Sequence, residues 1–201
     1  LVGCCQAARP LPSGGIIGGY TNQADATVVL ASVDHGVNVL LWSFVELENG
    51  NVTDDPAQGG PNPAVVAQVA RGLTQRNQSQ SVVHIISVGG WNAPHPTVEL
   101  TGEAWWQRWR QWDVEFTRRV HQEDAASSWA GFDGVDLAVE GADDSQSENN
   151  HFSDELLEML GTFAQAAKRD GFLSTMVPPQ SYLDCGSSTF DDTGAVTHAD
   201  T

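Results

Sequence analysis

Apolar positions along this chain alternate between two rhythms. Residues 16–20 form a short apolar run bounded by glycines, and a helical pattern carrying Val29, Leu30 and Val33 follows, closed by Gly36. Residues 37–45 are almost continuously apolar, as in a strand covered on both faces, and Asn62-Pro63 then opens a helix bearing Val66, Val69, Ala70 and Leu73. Residues 81–90 predict a third strand. Residues 101–123 predict a third helix, in which Trp105, Trp109, Trp112, Phe116 and Val120 recur at helical spacing; this stripe reads as core rather than as a sugar-stacking platform, with Trp106 lying off it. A fourth strand over residues 132–140, a helix over 153–168 through Leu156, Leu160, Phe163 and Ala167, and a fifth strand over 172–177 complete the pattern. Strict strand-helix alternation predicts a parallel α/β sheet, either doubly wound or a (β/α)8 barrel. No Gly-x-Gly-x-x-Gly follows the first strand to argue for a dinucleotide.

The fourth strand carries the chemistry. In Phe132-Asp133-Gly134-Val135-Asp136-Leu137-Ala138-Val139-Glu140, alternation puts Val135, Leu137 and Val139 on one face. Asp136, Ala138 and Glu140 project from the other. An amphipathic edge strand with solvated acids would show the same alternation. A second motif, Ser87-Val88-Gly89-Gly90-Trp91, ends the third strand, and Met176-Val177-Pro178-Pro179-Gln180-Ser181-Tyr182 ends the fifth.

Composition narrows the partners. The 201 residues carry 9 Lys and Arg against 26 Asp and Glu, a formal charge of −17, which disfavours nucleic acid, since phosphate binding needs clustered basic residues. No apolar run of about 18 residues is present to span a bilayer. The six histidines are scattered without metal-ligand spacing, so no metal or other cofactor is expected, and no Gly-x-Ser-x-Gly elbow suggests a serine hydrolase. Cys4, Cys5 and Cys185 are odd in number and leave the redox compartment open. Asn51-Val52-Thr53 and Asn77-Gln78-Ser79 would be glycosylation acceptors in a secreted eukaryotic protein.

Asp-Gly-x-Asp-x-Ala-x-Glu resembles the Asp-Gly-x-Asp-x-Asp-x-Glu signature of family 18 glycoside hydrolases, the chitinase-like proteins. It matches at Asp133, Gly134, Asp136 and Glu140 and departs at Ala138. Ser87-x-Gly89-Gly90 is similar to that family's Ser-x-Gly-Gly motif, and the two occur in the right order on successive strands. The resemblance implies a (β/α)8 TIM barrel, here truncated after the fifth strand because the last 21 residues cannot supply three further units. It divides the chain into an N-terminal segment, 1–15, and a partial barrel domain, 16–201.

It also implies Glu140 as the catalytic acid, assisted by Asp136 and Asp133, with Ser87, Gly89, Gly90, Trp91, Met176, Gln180 and Tyr182 lining a sugar site. Ala138 is the defective position. The implied activity is substrate-assisted, retaining hydrolysis of β-1,4-linked N-acetylglucosamine glycans such as chitin, impaired by Ala138. The alternatives are a non-hydrolytic chitin-binding lectin and a nonfunctional product. A secreted or extracellular location is the corresponding expectation.

Overall fold

The computed structural model describes residues 8–22, 25–55, 59–90, 93–140 and 153–178. In chain order they form β1 (Gly18–Thr21), α1 (Ala26–Asp34), β2 (Val39–Glu48), β3 (Asn51–Thr53), α2 (Pro63–Gln75), β4 (Val83–Gly90), α3 (Gly102–Glu123), β5 (Gly134–Val139), α4 (Asp154–Arg169) and β6 (Leu173–Met176). Five strands pair in parallel in the order β1-β2-β4-β5-β6, each crossing over through a helix, and β3 returns antiparallel against the end of β2. Among the described residues the sheet is open, with β1 and β6 at its edges. This is the α/β alternation the sequence predicts, with one element it does not predict. The β2–β3 hairpin turns at Asn49-Gly50, both at positive φ, a dipeptide suited to that turn.

Helix starts follow from their caps. Asp25, Asn62, Thr101 and Ser153 each accept a backbone N–H of the first turn, and Pro63 occupies a first-turn position where its missing N–H costs nothing. The tryptophan stripe of α3 is core: Trp105, Trp109, Phe116 and Val120 are fully buried. Trp106, off the helical stripe, is buried as well, stacked on Trp109 at 4.8 Å and donating its indole N–H to Asp170 (2.7 Å).

Two apolar layers flank the sheet. Val135, Leu137 and Val139 of β5 join Ile86 and Val88 of β4 in the large cluster shared with the helices. Val39, Val83 and Ile85 make a small separate cluster with Leu41 and Leu173, which plugs the opposite, inner face at the strands' N-terminal ends. Gly134 belongs to that inner face, where a Cβ would lie 2.3 Å from the Leu173 carbonyl oxygen. Only glycine fits there.

The N-terminal end of β5 is tied to the segment before β1. Asp133, nearly fully buried, accepts the Arg9 backbone N–H (2.8 Å), the Arg9 Nε–H (2.8 Å) and the His84 backbone N–H (2.8 Å), while Arg9 Nη1 donates to Ser79 O (2.8 Å). Beneath it the His84 ring accepts the Trp42 indole N–H (3.1 Å), and burial, aided by the Arg9 charge, holds its pKa well below the usual histidine range.

Asp113 on α3 is the second buried carboxyl of this region. It accepts the Phe132 N–H (3.1 Å), and Gly131, at φ +105, passes so close that a Cβ would sit 2.9 Å from its Oδ2. Burial is the first cause that raises its pKa to about 7, with Asp133 adding to it and Arg110 opposing. A native-state pKa above the unfolded value means that the native state binds more protons between about pH 4 and 7, so this group's contribution to stability falls as pH rises through that window. Asp113→Asn keeps the acceptor and removes the titration. Urea unfolding at pH 5 and pH 7 should therefore show the variant gaining on the wild type as pH rises, by at most about 1.4 kcal/mol per pH unit; parallel pH profiles would contradict this account.

Candidate active site at the C-terminal ends of the strands

The inner face changes from apolar to polar one layer above the Val39–Ile85 plug. Asp136 stands level with Ser87 on β4 and with Thr175 on β6 in the strand register. It is completely buried, and its carboxylate is enclosed by hydroxyls: Tyr20 donates to Oδ2 (2.7 Å), Ser87 also donates to Oδ2 (2.9 Å), and Thr175 donates to Oδ1 (2.7 Å). Tyr20 comes from β1, three strands away. In a flat sheet that separation is about 14 Å. The contact exists because the sheet curls until its inner faces converge, as barrel strands must. Burial raises the Tyr20 pKa, and its hydrogen bond to the Asp136 carboxylate raises it further, so the phenol remains the donor.

Above Asp136 the strands come close together. Gly89 is level with Ala138 and Gly90 with Val139. Both glycines have positive φ, and a Cβ on Gly89 would meet the Ala138 carbonyl oxygen at 2.8 Å, whereas one on Gly90 would press on the Phe44 ring at 3.1 Å. The Ser87-x-Gly89-Gly90 motif thus combines one hydrogen-bond donor to Asp136 with two backbone close approaches. Ala138 itself is buried, its methyl on the inner face between Asp136 and Glu140.

Glu140 follows the last paired residue of β5 at the C-terminal rim, half-buried, and burial raises its carboxyl pKa above the ordinary glutamate value. Its backbone carbonyl oxygen lies 2.8 Å from His95 Nε2. One strand over, a cleft of about 410 Å³ opens between Phe44, Glu46, Glu48, Asp55, Gly89 and Gly90. The β2–β3 hairpin walls it, with Glu46 and Glu48 on one face and the buried Leu47 on the other. Burial and the neighbouring Glu48 charge raise the Glu46 pKa, while a hydrogen bond from Thr53 lowers it. The Phe44 ring also meets Tyr20 at 6.1 Å.

Ser87, Gly89, Asp136, Ala138 and Glu140 therefore share one face, and Gly90, level with Val139, lies beside it against the Phe44 ring. Asp133 does not join them: it lies at the other end of β5, about 23 Å along the strand from Glu140, with its oxygens engaged by Arg9 and His84. Met176 does not line the site either, because it is level with Leu137 on the face opposite Asp136 and is 48% exposed. A one-residue shift places Thr175 on the inner face instead. Trp91, Gln180 and Tyr182, like the three cysteines, lie outside the described residues. Among the described residues no group of three or more His, Cys, Asp or Glu could hold a metal ion, and no helix is long and apolar enough to cross a membrane.

If Asp136 is held as its geometry indicates, Tyr20→Phe removes one of three donors from a buried carboxylate and should cost about 1.5–3 kcal/mol in urea unfolding. Thr175→Val should cost a similar amount. A loss below about 0.5 kcal/mol in both would show that the enclosure is not stabilising.

No protein-family model matches the chain, and no curated protein matches it. Solved structures do. The chain is similar to the Group IV chitinase of Ostrinia furnacalis, at 14% identity and a TM-score of 0.52, over 80% of this chain and 43% of that one. A GH18 chitinase from Pseudoalteromonas aurantia aligns at 13% identity over 87% of this chain and 60% of its own, with a TM-score of 0.49. The Class V chitinase from Nicotiana tobaccum aligns at 15% identity over 85% and 44%, with a TM-score of 0.46. This chain spans less than half the length of the Ostrinia furnacalis enzyme, and at such identities the likeness is one of fold. The parallel strands, their helices and their curl are those of a chitinase-like (β/α)8 barrel fold, with the sheet not closed among the described residues.

Proposed function

We propose that this chain is part of a chitinase-like glycoside hydrolase acting on β-1,4-linked N-acetylglucosamine glycans, with Glu140 as the proton donor and with turnover limited by Ala138. The observation that carries this reading is the placement of Glu140: a carboxyl, its pKa lifted by burial, at the C-terminal rim of a curled parallel sheet, above Asp136 and beside the Gly89-Gly90 approach. Barrel enzymes work at that rim. A raised pKa is the sense required of an acid that must still hold its proton near neutrality.

In the proposed reaction the Glu140 carboxyl protonates the departing glycosidic oxygen while the carbonyl oxygen of the substrate's own acetamido group bonds to the anomeric carbon. The Glu140 carboxylate then takes a proton from water as that water displaces the acetamido oxygen, with net retention. The protein supplies one acid, and the nucleophile belongs to the substrate. Something must orient that acetamido group, and the family's signature places a carboxylate for it at the position of Ala138. A methyl group can neither accept the amide N–H nor balance positive charge, and loss of one such contact costs about 100-fold to 1000-fold in turnover. Asp136 is not a substitute. It is about 13 Å along the strand from Glu140, and both its oxygens already accept hydroxyls. Asp133, at the far end of β5, is assigned a structural role.

Ala138 favours a second reading, a secreted chitinase-like lectin that binds the glycan without cleaving it. The two separate on one pair of variants assayed with a chito-oligosaccharide reporter and a chitin pull-down. Under the hydrolase reading Glu140→Gln abolishes release while binding persists, and Ala138→Asp raises kcat by about 100-fold to 1000-fold. Retained pull-down with no release from either the wild type or Ala138→Asp would establish the lectin; loss of both binding and release would dispose of both readings.

A further inference from the structure

The position of Glu140 raises the question of what holds it. The β4–β5 ladder ends at the Gly90–Val139 pair, so Glu140, just past β5, has no strand partner among the described residues. Strand ends without ladder bonds fray, and an acid that must meet a glycosidic oxygen to within a fraction of an ångström cannot be left to do so. The recorded contact of its backbone is with a side chain: His95 Nε2 lies 2.8 Å from the Glu140 carbonyl oxygen. A carbonyl only accepts, so Nε2 carries the hydrogen.

His95 is well placed to act as a fixed post. The short loop that carries it is tied on both sides: the Ala93 N–H donates to Gly90 O (3.1 Å), and the Thr97 N–H donates to Leu47 O (3.0 Å). The Trp105 indole N–H on α3 donates to Thr97 O (2.8 Å), so the far anchor joins the helical core as well as the extended part of β2. A loop held by two such ties carries the rigidity of β2, β4 and α3 through the His95 ring to the residue that follows β5. The carbonyl it holds belongs to the peptide leaving Glu140, and fixing that plane restricts the direction in which the Glu140 side chain departs from the strand.

We propose that His95 is a positioning residue for the Glu140 carboxyl, a clip between the β4–α3 loop and the end of β5 that keeps the acid over the site. The proposal rests on the reading of Glu140 as the proton donor, and its test separates the two. His95→Ala and His95→Gln are compared in the full chain for kcat, KM, thermal midpoint and amide hydrogen exchange of Val139 and Glu140. His95→Ala should lower kcat about tenfold, with KM within about twofold, because misplacement of the acid acts on the transition state more than on ground-state binding. His95→Gln, whose amide can also donate, should return kcat to within about threefold of the wild type. Exchange at Val139 and Glu140 should rise in the alanine variant alone, with both thermal midpoints near that of the wild type.

An unchanged kcat in His95→Ala, equal losses in the two variants, or a change confined to KM would each overturn the proposal. If the wild type shows no hydrolysis, the proton-donor reading fails by itself. The clip is then decided by exchange: a rise in His95→Ala that His95→Gln reverses sustains it, and unchanged exchange overturns it.

Discussion

The buried carboxylate of Asp136 is the constraint from which the rest of this half-barrel can be understood. Removing a carboxylate from water costs several kcal/mol even after the surroundings relax, and Asp136 has no exposed surface. Three hydroxyl donors at 2.7–2.9 Å, each worth about 1.5–3 kcal/mol to a charged acceptor, offset a cost of that size, whereas one would not. They come from β1, β4 and β6 and can meet only if the sheet curls. Curvature, register and chemistry are thus one requirement: a slip of one residue in β4 or β6 would turn Ser87 or Thr175 to the outer face and strand a charge in the interior.

The three acids of β5 show how environment divides identical chemistry. Asp133 at the lower end is consumed by Arg9 and the His84 N–H and fastens the N-terminal segment beneath the sheet. Asp136 in the middle is consumed by hydroxyls. Glu140 alone keeps its carboxyl clear of recorded partners among the described residues, and desolvation raises its pKa without a neighbouring cation to lower it. Spacing along the strand, rather than residue type, decides which acid is left available to the proposed chemistry.

Much of this was legible in the sequence, and what was not has a definite reason. The strand-helix order, the helix start at Asn62-Pro63 and the two faces of β5 depend on local pattern, which one sequence displays. The partners of Asp136 depend on which residues of other strands stand level with it, and periodicity within a strand says nothing about register between strands. Hence nothing local marks Tyr20 and Thr175, and the sequence alone puts Met176 in the place that its neighbour Thr175 occupies. Arg9 and His95 lie in irregular segments with no local signal of what they touch. The Asn49-Gly50 hairpin is different, since its dipeptide is a recognisable local turn signal. Trp106 shows how tertiary context overrides periodicity: its place off the stripe did not matter once α4 and Phe172 covered that side of α3.

Why alanine is compatible with this fold at position 138 follows from the same enclosure. Each oxygen of Asp136 is satisfied by residues on β1, β4 and β6, so a missing acid two positions along leaves no orphaned donor and no unpaired charge. The fold does not need a carboxylate there. Placing one in that buried layer would set a second negative charge about 7 Å along the strand from Asp136, in surroundings already closed by Gly89 and the Ala138 backbone. Such an acid is destabilising in the free protein unless it holds a proton or gains a ligand. Residue 138 is therefore a position where stability and the proposed catalysis make opposite demands: alanine is the relaxed choice for the barrel, and under that proposal a carboxylate is warranted only by the charge that a bound, reacting sugar would bring.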